Sequence, residues 1–322
     1  MFTRIRNVVK ALFYFRKACQ TKQIVFPYSP HVVTAWEENY EDFFSEESLA
    51  SLKKDVDDRS CAVLDLFFHR LKLFLELRKH HYYALVLKDP FDSDAIERKK
   101  FEKECQEYKK YGLPSLMAES LYFHHGLRNA SVPIKKYIER KIFIDGGACC
   151  GDSSLTFMQY NPSKVIAFDV SPRMAKKFHQ IMKKNNIPET RVQLILKGLG
   201  ETQEIMTFDD KTIGSTTLRK AGKSKVEIIP LDSCKEIDGT VGLIKFDLEG
   251  FGLHAFKGML NTIKKDRPVL ALAVYHCGAE LFGIKELLDS LNLNYKVEYK
   301  SCFFDHYGEL TMFAYPKELD VE

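Results

Sequence analysis

Two spacing regimes divide the chain. Up to about residue 135, apolar side chains recur at intervals of three and four: Ala62, Leu66, Phe67, Leu71, Phe74, Leu75 and Leu77, with Arg70, Lys72 and Arg78 between them. That spacing predicts an amphipathic helix with one inward stripe. Residues 94–110 (DAIERKKFEKECQEYKK) are charged along most of their length, which reads as a second helix with a solvated face and i,i+4 pairs, closed by Gly112 and Pro114. Residues 1–135 are therefore expected to form a mostly helical N-terminal region, with no internal repeat and no low-complexity linker.

From residue 141 the pattern changes to short apolar blocks alternating with amphipathic stretches. Strands are expected at 141–145, 164–169, 191–196, 242–247, 268–275, 294–302 and 309–315, and helices at 152–160, 172–186, 252–265 and 279–292. Val269 to Val274 is apolar at every position, as in a parallel strand covered on both faces. Repeated strand–helix units predict an α/β fold with a doubly wound sheet over 136–322. An insertion at 201–232 carries EIMTF and KVEIIPLD, with STTLRK between them, and is expected to form a hairpin over the sheet edge. The last two strands follow one another across Asp305–Gly308 and should pair antiparallel.

Composition adds few constraints. The chain is 45% hydrophobic and 29% charged, as in soluble globular proteins, and its net charge of +4 is too small to argue for nucleic acid. Eight cysteines include no C-x-x-C pair, which removes support for zinc ribbons; scattered cysteines point to a reducing, cytoplasmic compartment. No apolar run reaches eighteen residues, so no transmembrane helix is expected. Arg4, Arg6, Lys10, Arg16, Lys17 and Lys22 precede the first acid, Glu37, with Ile5, Val8, Val9, Leu12, Phe13 and Phe15 between them. Lys10 interrupts that apolar stretch, so a signal peptide is not expected. Such a helix packs on its own domain or lies on an anionic membrane surface, and a peripheral contact at the inner membrane surface stays open.

The chemistry concentrates at 141–151, KIFIDGGACCG, and at Asp169 in KVIAFDVSP. A strand ending in an acid, a glycine-rich turn, a helix and a second strand ending in an acid suit a nucleoside cofactor. Asp145 ends the first strand, Gly146, Gly147 and Gly151 line the turn, and Asp152-Ser153-Ser154 are placed to cap the next helix. Asp169 is placed to accept from a ribose diol. A dinucleotide would put a pyrophosphate against Asp145, where charge repels it; the ammonium of an amino-acid tail is attracted there. That favours S-adenosylmethionine over NAD(P).

FIDGGACCGDSSLTF, IAFDVSP, IPLD, LIKFDLEGFGLHAFKGM and RPVLALAVYH resemble, in order, the motifs of the FkbM family of S-adenosylmethionine-dependent methyltransferases over roughly 141–315. The resemblance implies the class I methyltransferase (Rossmann-like) sheet of about seven strands with the last antiparallel, and methyl transfer to oxygen on sugars or secondary metabolites. By position it implies that Asp145, Gly147 and Gly151 bind the methionine part, that Asp169 holds the ribose and that Leu199 and Gly200 flank the adenine. The full cofactor set adds Gly146, Ala148, Asp152, Ser153, Val170 and Asp247. Two positions depart from the family: Cys149 stands where Asn is usual and Asp169 where Glu is usual.

Lys245, Asp247 and Glu249 alternate in KFDLEG, which places them on one face while the strand lasts, and His276 follows the neighbouring strand. His276 is the candidate base, Asp247 orients it or the substrate, and Lys245 pairs with a carboxylate such as Glu249. Asp247, Glu249 and His276 are also metal-ligand types, but their spacing matches no known signature and no metal is expected. Ser215-Thr216-Thr217 resembles a polar family element near the cofactor. His80-His81 and His124-His125 read as solvated or packed, since helical neighbours diverge. The acceptor implied is a small molecule or glycan. A nucleic-acid methyltransferase would want Asn/Asp-Pro-Pro-aromatic where Asp-Leu-Glu-Gly stands. A dinucleotide oxidoreductase and a non-catalytic adaptor are the alternatives.

Overall fold

The computed structural model describes residues 24–27, 35–36, 45–79, 84–87, 92–208, 224–302 and 309–321. Strand β1 (Ile24–Pro27) pairs antiparallel with β2 (Ala84–Leu87), a ladder the helical pattern of this region did not suggest. Between and after them lie α1 (Glu46–Lys53), α2 (Asp58–Lys79), α3 (Asp92–Tyr108), α4 (Ala118–Leu121) and α5 (Val132–Ile138). The stripe of α2 runs through Leu64, Phe67, Phe68, Leu71 and Leu75; Ala62 faces solvent, while Arg70 is buried. Gly112 ends the turn after α3 at φ 73°.

The central sheet contains β3 (Ile142–Gly146), β4 (Lys164–Phe168), β5 (Val192–Ile195), β9 (Val241–Phe246), β10 (Val269–Ala273), β11 (Tyr295–Lys300) and β12 (Thr311–Pro316), after the insertion strands β6 (Gly198–Leu199), β7 (Glu204–Phe208) and β8 (Ser224–Ile229). Its seven strands are ordered β11-β12-β10-β9-β3-β4-β5, with β12 antiparallel to both neighbours and the remaining contacts parallel. This is the class I methyltransferase topology, an α/β doubly wound sheet.

Period-two alternation sends each strand's residues to two cores. Ile142, Ile144, Ile166, Phe168, Ile244, Phe246, Leu270 and Leu272 pack with the α2 stripe and with α8 (Gly252–Lys257), α9 (Leu260–Asp266) and α10 (Gly278–Ser290). Phe143, Val165, Ala167, Leu243, Val269 and Ala271 pack with α5, α6 (Asp152–Phe157) and α7 (Pro172–Lys184). Ser171 caps α7 by accepting from Met174 N at 3.1 Å. Trp36, Leu52 and the α2 stripe belong to the first of these cores. Trp36 Nε1 donates to Tyr275 O at 2.7 Å, and Tyr299 N on β11 donates to Ser60 Oγ at 2.9 Å.

Two local expectations are corrected. The insertion's β7 and β8 do pair antiparallel, but with β6, parallel to β8, they form a sheet of their own, β6-β8-β7, rather than an addition to the main sheet's edge. Its physical seed is Gly198–Leu199, which leaves β5 and presents a fresh ladder to β8. The helix expected at 252–265 breaks into α8 and α9 at Gly258, where a Cβ would sit 1.9 Å from Gly200 O. Asp232 of IPLD then caps α9, accepting from Asn261 N at 2.9 Å and Thr262 N at 2.8 Å. Among the described residues no helix is long and apolar enough to cross a membrane. The basic N-terminal stretch, His80-His81, Ser215-Thr216-Thr217 and the Asp305–Gly308 turn lie outside the described residues.

Candidate functional site

Asp145 and Lys245 are register partners on β3 and β9, and their side chains point to the α6 face, buried at 0% and 3% exposure. Lys245 Nζ stands 3.2 Å from Asp145 Oδ1 and donates to Gly146 O at 3.2 Å and Gly147 O at 3.0 Å. Ser154 Oγ donates to Asp145 Oδ2 at 2.6 Å. Burial by itself would lower the Lys245 pKa; the attraction of Asp145 and Asp247 outweighs it and holds the ammonium above its usual value. This pair is a floor under the loop. Asp145 is fully buried and is not among the residues that line the cavity above it.

The loop is set by backbone constraints. Gly147 has φ 74°, and a Cβ there would lie 1.9 Å from Asp247 O, so the loop runs against the end of β9 as only glycine permits. Gly147 N and Ala148 N both donate to Phe168 O at 3.0 Å. Gly151, at φ 90°, is the N-cap of α6 with no side-chain cap. The expected capping by Asp152-Ser153-Ser154 is not made, because these side chains turn elsewhere: Ser154 to Asp145, Ser153 to His125 Nε2 at 2.8 Å and Asp152 to Ser120. Asp169 accepts from Cys149 N and Ser171 N, each at 2.8 Å. Burial pushes the Asp169 pKa up to about 6, partly offset by these N–H donors.

Above the loop lies a cavity of about 390 Å³. Of the expected cofactor residues, Gly147, Asp152, Ser153, Asp169, Val170, Leu199 and Asp247 line it; Asp145, Gly146, Ala148 and Gly151 stand behind them. Phe168, Val170, Met174, Leu199 and Phe251 make an apolar wall beside Asp169. Met117, Glu119 and His125, from the segment before β3, line the opposite side. His125 Nδ1 stands 3.1 Å from Glu119 Oε1. His124 is packed instead, with Nδ1 2.6 Å from Tyr160 Oη, and burial lowers its pKa to about 4.

At the end of β9 the chain turns sharply, with Glu249 at φ 52° and Gly250 at φ 97°. The turn directs Asp247 and Glu249 toward His276 from the loop after β10. His276 Nε2 is 3.2 Å from Asp247 Oδ1 and 3.8 Å from Glu249 Oε2. Its Nδ1 is 2.9 Å from Glu280 Oε2, and Glu280 Oε1 accepts from Gly252 N at 2.7 Å. Lys245 also lines the cavity, but its ion pair is with Asp145 rather than with Glu249. Burial disfavours charge on His276, but Glu280 and Asp247 more than compensate and raise its pKa well above 6.5. Burial likewise opposes the Asp247 anion, and His276 and Lys245 overcome it, lowering Asp247 to about 2. Burial and repulsion from Glu119 and Asp247 drive the Glu309 pKa well above its usual value.

Glu119, Glu280 and Glu309 were not singled out from the sequence, and His125, read there as solvated or packed, lines the cavity. Glu280 had a signal, since it lies four residues after His276 at the start of a helix. The others come from distant segments and had none.

The comparisons agree with this geometry. Residues 145–299 match the model described as the methyltransferase FkbM domain. The curated proteins give no match. A methyltransferase FkbM from Methylobacillus flagellatus KT superposes with a TM-score of 0.53 at 17% identity, over 87% of this chain and 60% of that one. This chain therefore spans about three fifths of that protein's length. An O-methyltransferase from Bacillus cereus in complex with SAH gives 0.41 at 14% identity, over 70% of this chain and 92% of that one. An rRNA methylase from Streptococcus thermophilus gives 0.40 at 14% identity, over 63% and 96%. A seven-stranded sheet in this order, a glycine loop at the end of β3 and a matching family model lead to one conclusion: residues 145–299 match the FkbM methyltransferase domain, on a class I methyltransferase fold.

Proposed function

We propose that this S-adenosylmethionine-dependent methyltransferase methylates a hydroxyl group, on a sugar or glycan-type acceptor. The observation that carries the reading is the convergence of Asp247, Glu249 and His276 beside the loop-lined cavity. The residues present fit the cofactor. Asp169 offers a carboxylate to a ribose diol, the apolar wall at Val170 and Leu199 suits a purine, and the absence of a Cβ at Gly147 keeps the loop flat against the end of β9. Bound there, the cofactor supplies a methyl group on a positively charged sulfur.

A hydroxyl acceptor must be aligned and must lose its proton. Asp247 is ionised and accepts the hydroxyl's hydrogen bond. The hydroxyl proton passes to the carboxylates of the trio, Glu249 being the neighbour on the cavity side. His276 itself accepts a proton only above its raised pKa. Lys245 acts by positioning the loop carbonyls. Met117, Glu119 and His125 support a role for residues 1–135 in capping the cleft and shaping the acceptor pocket. The sugar class rests on the family resemblance, and a cytoplasmic location on the scattered cysteines.

The test is transfer of label from methyl-tritiated S-adenosylmethionine to a panel of sugars, phenols and amines. Labelled ether products with sugars, lost in Asp247→Asn, are expected. Labelling of nitrogen acceptors alone would overturn the reading, as would binding of S-adenosylhomocysteine with no transfer to any hydroxyl.

A further inference from the structure

The trio that faces the acceptor brings three ligand-type atoms to one point. One nitrogen and two carboxylate oxygens, from His276, Asp247 and Glu249, lie within 4.8 Å of one another. His276 is 2% exposed, and its Nε2 has no aligned hydrogen bond; neither does Asp247 Oδ1, although the two atoms are only 3.2 Å apart. Two buried polar atoms that face each other without bonding are unusual, since such groups normally find partners. A third centre between them resolves this. Donors at about 2.1 Å from one ion and at right angles are about 3 Å apart, and wider angles bring them to about 4 Å. The separations of 3.2 Å and 3.8 Å from Nε2 fall in that range.

We propose that Asp247, Glu249 and His276 bind one divalent cation, with Mn²⁺ preferred over Mg²⁺. The surroundings favour this in three ways. Glu280 Oε2 takes the Nδ1 side of His276, which leaves Nε2 to face the ion, and Glu280 is itself fixed by Gly252 N. A carboxylate behind a ligating imidazole is the usual outer support of such a site. Charge points the same way: Asp247, Glu249 and Glu280 bring three carboxylates to one imidazole, while the Lys245 ammonium is paired with Asp145. Finally, Asp247 and Glu249 line the cavity, so the ion's remaining positions open toward the acceptor. Three protein ligands with open positions are the pattern of a catalytic rather than a structural ion. Two hard oxygens with one imidazole suit Mn²⁺; Mg²⁺ holds nitrogen ligands less readily.

This inference rests on the hydroxyl-acceptor reading for its chemical purpose. An ion at this point coordinates the acceptor oxygen and makes its proton more acidic, so the trio polarises the nucleophile and the proton leaves to a carboxylate or water.

The experiment uses the full chain, treated with EDTA and dialysed, and titrated with MnCl₂ by calorimetry and electron paramagnetic resonance. One Mn²⁺ per chain is expected, with nitrogen modulation from a coordinated imidazole in the pulsed spectrum. Glu249→Gln and Asp247→Asn each weaken binding at least tenfold, and Glu280→Gln weakens it about tenfold to hundredfold. Far-ultraviolet circular dichroism serves as the folding control for every variant, with S-adenosylhomocysteine binding as a second control for Glu249→Gln and Glu280→Gln. Absence of Mn²⁺ binding in protein that still binds S-adenosylhomocysteine overturns the inference, as does binding that lacks imidazole nitrogen or is unchanged in Glu249→Gln. Full methyl transfer to a hydroxyl in EDTA sinks the metal and leaves the proposed function standing. Mn²⁺ bound with imidazole, but no hydroxyl methylated, sinks the function and leaves the metal site.

Discussion

Lys245 Nζ and Asp145 Oδ1 meet at 3.2 Å beneath the glycine loop, from strands whose pairing sets the two residues side by side. The ammonium also holds two loop carbonyls, so it joins the sheet to the cofactor loop. Removing one member leaves a buried charge without its partner. Lys245→Met is expected to cost about 3–5 kcal/mol in urea unfolding. The double variant Asp145→Leu, Lys245→Met should be less destabilised than the sum of the single ones, because the orphaned charge is gone. Additive losses would show that the pair is not coupled.

Gly147 tests the loop geometry. An alanine there combines a left-handed backbone with a Cβ at 1.9 Å from Asp247 O. The backbone term alone is about 1–2 kcal/mol, and the clash must push the loop away from the end of β9. Gly147→Ala is expected to lose S-adenosylhomocysteine binding in calorimetry by at least a hundredfold. Affinity within tenfold of the parent would mean that the loop does not cradle the cofactor.

Asp169 gives a pH dependence with a definite sign. Its pKa is raised to about 6 by burial, against 3.8 for the free group. In the unliganded protein the stability linked to this group is present below 3.8 and lost as pH rises through 6, since the folded state holds the proton more tightly. Ligand binding runs the other way, because a ribose diol donates to the ionised carboxylate. S-adenosylhomocysteine affinity should be level above pH 7 and fall below 6, approaching about tenfold per pH unit. Asp169→Asn should bind weakly with a flat profile. A parent profile that is also flat from pH 7 to 5 would remove Asp169 from the site.

Trp36 is the chain's one tryptophan, is fully buried, and donates to the backbone of Tyr275, the neighbour of His276. It shares a core with β3, β9 and β10. Its fluorescence and the far-ultraviolet circular dichroism should therefore lose their native signals at the same denaturant midpoint. An earlier fluorescence transition would show that the N-terminal segment unfolds separately from the sheet.

Strand–helix alternation, the apolar run at 269–274 and the acids at 145 and 169 fixed the fold class and the end of the sheet where the site lies, because local periodicity and glycine turns are short-range physics. KFDLEG and His276 identified the residues of the trio from neighbouring strand ends. Tertiary structure decided their partners. Period two placed Lys245 with Asp247 and Glu249, but β9 ends at Phe246, and the turn at Glu249 swings the carboxylates to His276 while Lys245 meets Asp145 below. Likewise Glu119 and His125 reach the cavity from a segment with no local pattern, and Asp232 of IPLD became a helix cap. A sequence specifies which face of an element a side chain takes. Which distant group it meets depends on strand register and on the loops that close over it, and those are settled only when all the layers pack together.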